Sequence, residues 1–182
     1  MKLISKRPMA LTLAGLLLAG TAYAATDAAL DSHVMNTLAA CQRVSTSCAN
    51  DTKNALGILV FPAVVKADVI IGGAGGSGAL IENGKITGYY SIGAGSAGLQ
   101  IGVDQSHQVY VFRTADALNE LKNGSDWKVG AAAGVTVVKA DANAQSANGP
   151  VDAYIFGSKG LEGGVSVDMF DVWKTGTTRP HV

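Results

Sequence analysis

The chain has 182 residues, and its 14 basic and 14 acidic side chains give a formal net charge of +0 at pH 7. The sequence contains no run of Lys or Arg, so binding to nucleic acid or to a polyanionic surface by bulk electrostatic attraction is excluded. Hydrophobic residues make up 48% of the chain, which at this length predicts one compact domain with a real core.

The N-terminus has the three parts of a secretory signal peptide. Lys2, Lys6 and Arg7 form a basic region, and Ala10 to Leu18 form a short apolar region. Ala22-Tyr23-Ala24 then supplies a small-x-small cleavage site. We expect residues 1–24 to be removed and the mature protein to be periplasmic or secreted. Loss of three basic residues then leaves a mature net charge of 11 − 14 = −3.

The helical part of the mature chain is predicted at 25–56. Thr26 or Asp27 is a candidate N-cap for a helix that runs to about Arg43, and a second short helix is predicted from Asp51 to Leu56. An apolar stripe follows one face of the first helix at Leu30, Val34, Leu38 and Cys41. Such a stripe can pack on the domain's own sheet or lie on a membrane surface. Core packing is favoured because the polar side of the helix is not rich in Lys or Arg.

Two cysteines, Cys41 and Cys48, are the only ones in the chain. In an oxidising compartment the default expectation for such a pair is a disulfide, and two buried thiols are the alternative. Seven residues of continuous helix would separate their Cα atoms by roughly 10 Å, which is beyond disulfide reach. We therefore expect the first helix to end between them, near Val44 to Ser47.

A glycine-rich segment contains Gly73-x-Gly75-x-x-Gly78, a spacing typical of dinucleotide-binding loops. Such a loop must open a helix whose N-terminus holds the phosphates. The following residues instead contain Asn83-Gly84 between apolar and aromatic residues, which predicts a β-hairpin. The spacing is therefore not interpreted as a nucleotide site, and neither a nucleotide nor another cofactor is expected.

The remainder of the chain, 57–182, is predicted to be a glycine-rich β domain. Strands are spaced along it with one internal helix, capped by Thr114 and ending near Lys122. This pattern predicts an α+β, mainly β fold: an antiparallel sandwich or barrel-like sheet with an N-terminal helix and one internal helix. The predicted strands are 58–61, 64–71, 79–81, 86–90, 98–103, 108–112, 134–139, 151–157 and 164–167.

The glycines are given a structural role in this fold. Glycine inside a strand marks a bulge, a bend or a close approach of another backbone. We expect Gly72, Gly73, Gly75 and Gly78 to permit close packing of a second sheet layer or a helix.

Motifs for catalysis and metal binding are absent from the sequence. The three histidines, His33, His107 and His181, form no close pair that indicates a metal site. The late acidic residues are interpreted as solvated or turn residues rather than an acid/base pair, and the Trp and neighbouring Tyr residues as core or interface aromatics. The acidic residues are Asp152, Asp168 and Asp171, and the aromatics are Trp127, Trp173, Tyr89 and Tyr90. We therefore expect no enzyme activity.

Lys66 is the polar residue that stands out in the β domain. It lies in an otherwise apolar segment just before the glycines. One interpretation is an edge-strand lysine that keeps its ammonium in water and deters aggregation. The other is a ligand for a phosphate head group.

A series of motifs runs through this part of the chain in a fixed order. The motifs are Ile58-Leu59-Val60-Phe61-Pro62-x-x-x-Lys66-Ala67, Ile71-Gly72-Gly73, Gly78-Ala79-Leu80, Gly88-Tyr89-Tyr90, Gly95-Ser96-x-Gly98-Leu99-Gln100-Ile101-Gly102, Val111-Phe112-x-Thr114-x-x-Ala117-Leu118, Trp127-Lys128-x-Gly130 and Gly160-Leu161. Together they resemble the SYLF domain family over about residues 55–164. Asp68 and Ala133 depart from the family pattern, and Asp171–Val182 has no recognised counterpart.

The resemblance implies a non-enzymatic phospholipid-binding module, since relatives bind phosphoinositide membranes and actin. Carried over, it implies lipid contacts at Leu30, Val34 and Leu38, with Lys66 as a head-group contact. Actin is not a partner expected in a periplasm, so phospholipid at the cell envelope is the expected ligand. The alternative is a structural or interaction protein that binds another envelope protein.

Overall fold

The computed structural model describes residues 19–67, 73–94, 105–124, 126–138, 149–157, 160–161 and 170–175. Three α-helices and a 3-10 turn at Ala131–Ala133 occur in these ranges. The helices are α1 (Ala19–Val44), α2 (Thr46–Asp51) and α3 (Ala115–Asn123). The strands are β1 (Gly57–Ala67), β2 (Gly73–Glu82), β3 (Lys85–Ala94), β4 (Gln105–Phe112), β5 (Trp127–Val129), β6 (Val135–Val137), β7 (Val151–Gly157), β8 (Gly160–Leu161) and β9 (Phe170–Lys174).

The described strands form one sheet in the order β5-β9-β3-β2-β1-β4-β7-β6, with β8 added beside β7. All neighbours are antiparallel except β6 and β7, which are parallel. The two edge strands, β5 and β6, follow each other in the chain across the 3-10 turn, and Val135 N donates to Gly130 O at 3.1 Å. The sheet is therefore a nearly closed barrel, as the mainly β, barrel-like prediction requires.

Alternation along the strands produces two apolar clusters on the two faces of the sheet. The inner cluster draws side chains from eight strands, among them Leu59, Tyr110, Trp127 and Phe170, and α3 packs on it through Leu118. Because residues from all round the sheet meet there, this cluster fills the barrel interior. The intervening residues of β1, β2, β4 and β7 point outward and form the outer cluster with α1 and α2.

The apolar stripe of α1 packs on that outer cluster. Val34 and Cys41 are fully buried and Leu38 is 8% exposed, whereas Leu30 is half-buried at the margin of the cluster. The favoured alternative, core packing, is the arrangement in this structure. None of the helices in the described part of the chain combines the length and apolar character that a membrane crossing requires.

The Cys41–Cys48 disulfide links the C-terminal end of α1 to α2, and the two Cα atoms are 6.0 Å apart. Helix α1 ends at Val44, and Ser45 caps α2 by accepting a hydrogen bond from Cys48 N. The predicted disulfide and the predicted break in the helix are both confirmed.

Several predicted elements differ from the structure. The short helix expected at 51–56 is wrong: α2 lies earlier, at Thr46–Asp51, and turns follow it. Pro62 does not end a strand, since β1 runs continuously across it. Strands β5, β8 and β9 were not predicted. They have only three, two and five residues, and so short a stretch carries little periodicity. The strands predicted at 98–103 and 164–167 lie outside the described residues.

The Asn83-Gly84 hairpin and the internal helix are confirmed. Both turn residues have positive φ, 52° at Asn83 and 74° at Gly84, as the turn requires. Thr114 caps α3 by accepting from Ala117 N. These local signals were sufficient because each depends on a few adjacent residues.

Candidate binding site

A β-bulge in the middle of β1 is the centre of the candidate site. Phe61 pairs with Gln108 and Val64 with Ser106, so Pro62 and Ala63 together stand opposite one residue of β4. Proline has no N–H to give to a ladder, and bulges are among the few places in a sheet that accept it. Bulges also occur preferentially beside functional sites.

The residue of β4 opposite the bulge is His107. Its Nδ1 contacts the carbonyl oxygen of Pro62, and its ring lies against Phe156 with centroids 5.2 Å apart. A carbonyl oxygen only accepts hydrogen bonds, so Nδ1 carries the proton. In the neutral ring Nε2 is then the acceptor nitrogen, and the bulge has fixed the tautomer.

On the other side of the bulge, two glycines of β2 allow a close approach of backbones. A Cβ at Gly76 would collide with the carbonyl oxygen of Ala63, and one at Gly78 would collide with that of Val60. A Cβ at Gly75 would meet its nearest atom at an ordinary 3.4 Å. The close neighbour of this glycine segment is thus the adjacent strand, rather than a second sheet layer or a helix.

Gly73 begins β2 and pairs with Ala67, and Gly72 lies outside the described residues. The segment is followed by the Asn83-Gly84 hairpin and by no helix, so a phosphate-binding helix N-terminus is not formed there.

A groove of about 520 Å³ opens between α1 and the bulge. This volume lies within the range of about 300–1,000 Å³ typical of small-ligand sites. Its polar side chains are His33, Asn36 and Thr37 from α1, and Ser77, Gln105 and His107 from the sheet. Its apolar wall is formed by Leu30, Ala40, Pro62, Ala63 and Phe156.

Of the four residues predicted to contact lipid, one lines this groove. Leu30 lines it, but Val34 and Leu38 are covered by the sheet. In the docked arrangement those two side chains are not available to a membrane. Lys66 lies in β1 beyond the bulge, and its backbone pairs with Ala74; its side chain lies outside the described part.

A second polar cluster fastens α2 to the barrel and is separate from the groove. Arg113 Nη2 lies 2.7 Å from Asp51 Oδ1, and Arg113 Nε pairs with the fully buried Asp152. The Tyr154 hydroxyl donates to Asp51 Oδ2. Burial raises the pKa of Asp152, which the hydrogen bond and charge of Arg113 oppose.

The interpretation of Asp152 as a solvated or turn residue is therefore wrong, because it is a buried member of an ion-pair network. Asp171 lies in β9 and pairs with Lys128 at 3.3 Å, and Asp168 lies outside the described residues. Of the aromatics, Trp127 and Tyr90 are buried, while Tyr89 and Trp173 are half-buried.

Sequence reasoning did not identify the groove. Among the described residues no group of three or more His, Cys, Asp or Glu side chains could hold a metal. His33 and His107 nevertheless line one cavity, although 74 positions separate them in the chain. The available signal was Pro62 inside an apolar strand, which indicates a bulge.

Residues 93–176 match the family model described as Ysc84, Las17-binding protein actin regulator. The match supports the SYLF domain family, to which the motifs point, and that family is one of binding domains. The match also includes β9. The expectation that Asp171–Val182 has no counterpart in the family is therefore wrong for residues 171–176. No curated protein matches the chain.

Proposed function

We propose that this protein is a non-enzymatic phospholipid-binding module that acts at the cell envelope, with the groove beside the β1 bulge as its lipid site. The observation that carries the proposal is the composition of this groove, whose lining is divided between apolar and polar side chains. A lipid has the same division between its chain and its polar region. The family's character as a binding module supports the same conclusion.

Lys66 is proposed as the head-group contact. It follows the bulge on the same strand, three positions after Ala63, which lines the groove. An ammonium is a compact point charge that suits a phosphate. Leu30 is proposed as the chain contact, since it is the one member of the Leu30, Val34 and Leu38 set that lines the groove.

We also propose that the protein reaches the periplasm through a cleaved signal peptide ending at Ala24. The Cys41–Cys48 disulfide is compatible with export, because disulfides persist in oxidising compartments.

Vesicle co-sedimentation of the mature protein tests the lipid proposal. We expect binding to phospholipid vesicles, and we expect Lys66→Glu and Leu30→Asp each to weaken it at least severalfold. Lys53→Glu and Met35→Asp are the matched controls, because both positions are exposed and neither lines the groove. Both controls should bind as the wild type does.

A lack of binding to both anionic and zwitterionic vesicles would refute the proposal and favour a second candidate. That candidate is an interaction protein for another envelope protein. It draws on four large apolar side chains that are 46–49% exposed, namely Met35, Val44, Leu56 and Val65.

A further inference from the structure

The described polar lining of the groove consists of hydrogen-bonding groups rather than carboxylate, ammonium or guanidinium groups. It offers amides, hydroxyls and imidazoles, with no Lys, Arg, Asp or Glu among the lining side chains. A phosphate or carboxylate buried there would have no opposite charge to compensate its lost hydration. The groove therefore favours an uncharged part of a ligand over a charged one.

The hydrogen-bonding groups of the groove restrict the chemical class of the ligand further. Asn36 and Gln105 carry amide N–H donors, which suit an ester carbonyl. His107 Nε2 is held as an acceptor by the contact of Nδ1 with the Pro62 carbonyl. An acceptor with a fixed position selects a ligand group that donates, and an ester does not. A free hydroxyl next to the ester meets both requirements.

The volume of the groove limits the number of acyl chains that it can hold. At roughly 30 Å³ per group, the share of one water molecule in the liquid, 520 Å³ holds about 17 non-hydrogen atoms. That is close to one glycerol ester with a single chain of medium length. A second acyl chain would have to extend beyond the groove.

We propose that the groove binds the uncharged part of a monoacyl glycerolipid, with the free glycerol hydroxyl donating to His107 Nε2 and the single chain lying on the apolar wall. This rests on the proposed function and specifies its ligand. The head group lies outside the groove, on the side where β1 continues to Lys66.

Isothermal titration of two soluble single-chain probes below their micelle concentrations tests the assignment. Lauroyl lysophosphatidylcholine has the glycerol hydroxyl and the ester, and dodecylphosphocholine has the same head group and chain length without them. We expect the wild type to bind the first at least tenfold more tightly, because the second offers no hydroxyl to His107 Nε2 and no carbonyl to the amides of the groove.

Two variants locate the effect. His107→Phe keeps an aromatic ring beside Phe156 but removes the acceptor, and it should bind the two probes with similar affinity. Ser77→Phe fills the groove from an exposed position, so it should bind neither while keeping the wild-type circular dichroism spectrum. Equal affinity of the wild type for both probes, no affinity for either, or unchanged discrimination in a folded His107→Phe would each overturn the proposal.

The titration and the vesicle experiment can fail independently of each other. If the wild type sediments with vesicles but binds neither monomeric probe, the monoacyl assignment fails and the phospholipid-binding function stands. If it binds the lysolipid but not vesicles, the groove assignment stands and the membrane function fails.

Discussion

At Gly76 and Gly78 the absence of a side chain permits the β1 bulge and the β2 backbone to pass at close range. Alanine at either position would force the two strands apart, because the obstructing atoms are backbone oxygens that cannot rotate away. Overpacking of this kind typically costs about 1–3 kcal/mol. We expect Gly76→Ala and Gly78→Ala each to lower the free energy of unfolding by about 2–3 kcal/mol in urea denaturation.

Gly75→Ala is the matched control in the same strand. Its Cβ would meet the Ile92 carbonyl oxygen at 3.4 Å, an ordinary contact. Because alanine also restricts the unfolded chain, by about 0.4–1 kcal/mol, this variant should be neutral or slightly stabilised. An equal loss at Gly75 and Gly76 would contradict the close-approach explanation.

Arg113 is the only cation in its network of described residues, where it faces Asp51, Asp152 and the Tyr154 hydroxyl. Removing it in Arg113→Met leaves a buried carboxylate without its partner. Breaking a fully buried pair costs about 3–5 kcal/mol. Because the Arg113 side chain is 33% exposed, solvent screening reduces the expected loss in unfolding free energy to about 2–3 kcal/mol at pH 7.

The pH dependence of this loss follows from the raised pKa of Asp152. A carboxyl whose pKa is higher in the folded state stabilises the fold at low pH, and that contribution is lost as pH rises through the folded pKa. Without the opposing Arg113 the pKa rises further, so the loss in Arg113→Met should shrink as pH falls toward 4. Adding Asp152→Asn should recover stability at pH 7 and flatten the pH profile, whereas Lys128→Met at an exposed pair should change little. A loss that is independent of pH would argue against Asp152 as its source.

At the scale of elements, α1 and α2 form one unit attached to the outer face of the barrel. The unit is held by the outer cluster, the disulfide and the Arg113 network. Strands β1 and β4 lie in the middle of the sheet with both faces covered. Elements with fewer buried contacts open at lower free energy than central strands.

Hydrogen exchange measured by mass spectrometry should therefore show α1 amides exchanging before those of β1 and β4. The double variant Cys41→Ala/Cys48→Ala loses the constraint on a short loop, which is worth about 2 kcal/mol. Exchange in the α1–α2 unit should then rise at least tenfold, with the central strands nearly unchanged. A uniform rise over the whole protein would instead indicate that helices and barrel open as one unit.

At the scale of the whole molecule, the barrel-like sheet serves as a rigid frame for a site at its surface. Between the described strands its interior is occupied by the inner cluster, rather than left open for a ligand as in a lipocalin. The groove arises where a helix crosses the outer face near an irregularity of one strand. Sites built on regular elements hold their geometry better than sites on loops.

The sequence by itself determined the features that depend on neighbouring residues. The spacing of short apolar runs predicted the β-rich class, Asn83-Gly84 the hairpin, and Thr114 the start of α3, because each rule operates within a short stretch of chain. The resemblance to the SYLF domain family was recognisable for the same reason, since its motifs are local strings of residues. The disulfide was also predictable from a short spacing and the geometry of a helix.

Only the tertiary structure decided where the site lies. His33 and His107 line one groove because α1 crosses the sheet beside the bulge, and no local pattern encodes that crossing. Asp152 alternates with apolar residues along β7 like a solvated side chain, yet α2 places Asp51 and the end of β4 places Arg113 beside it, and the carboxylate is buried. The positions of β5 and β9 in the sheet likewise depend on long-range pairing. Closure of the sheet determines them, because the three to five residues of each strand are too few to do so.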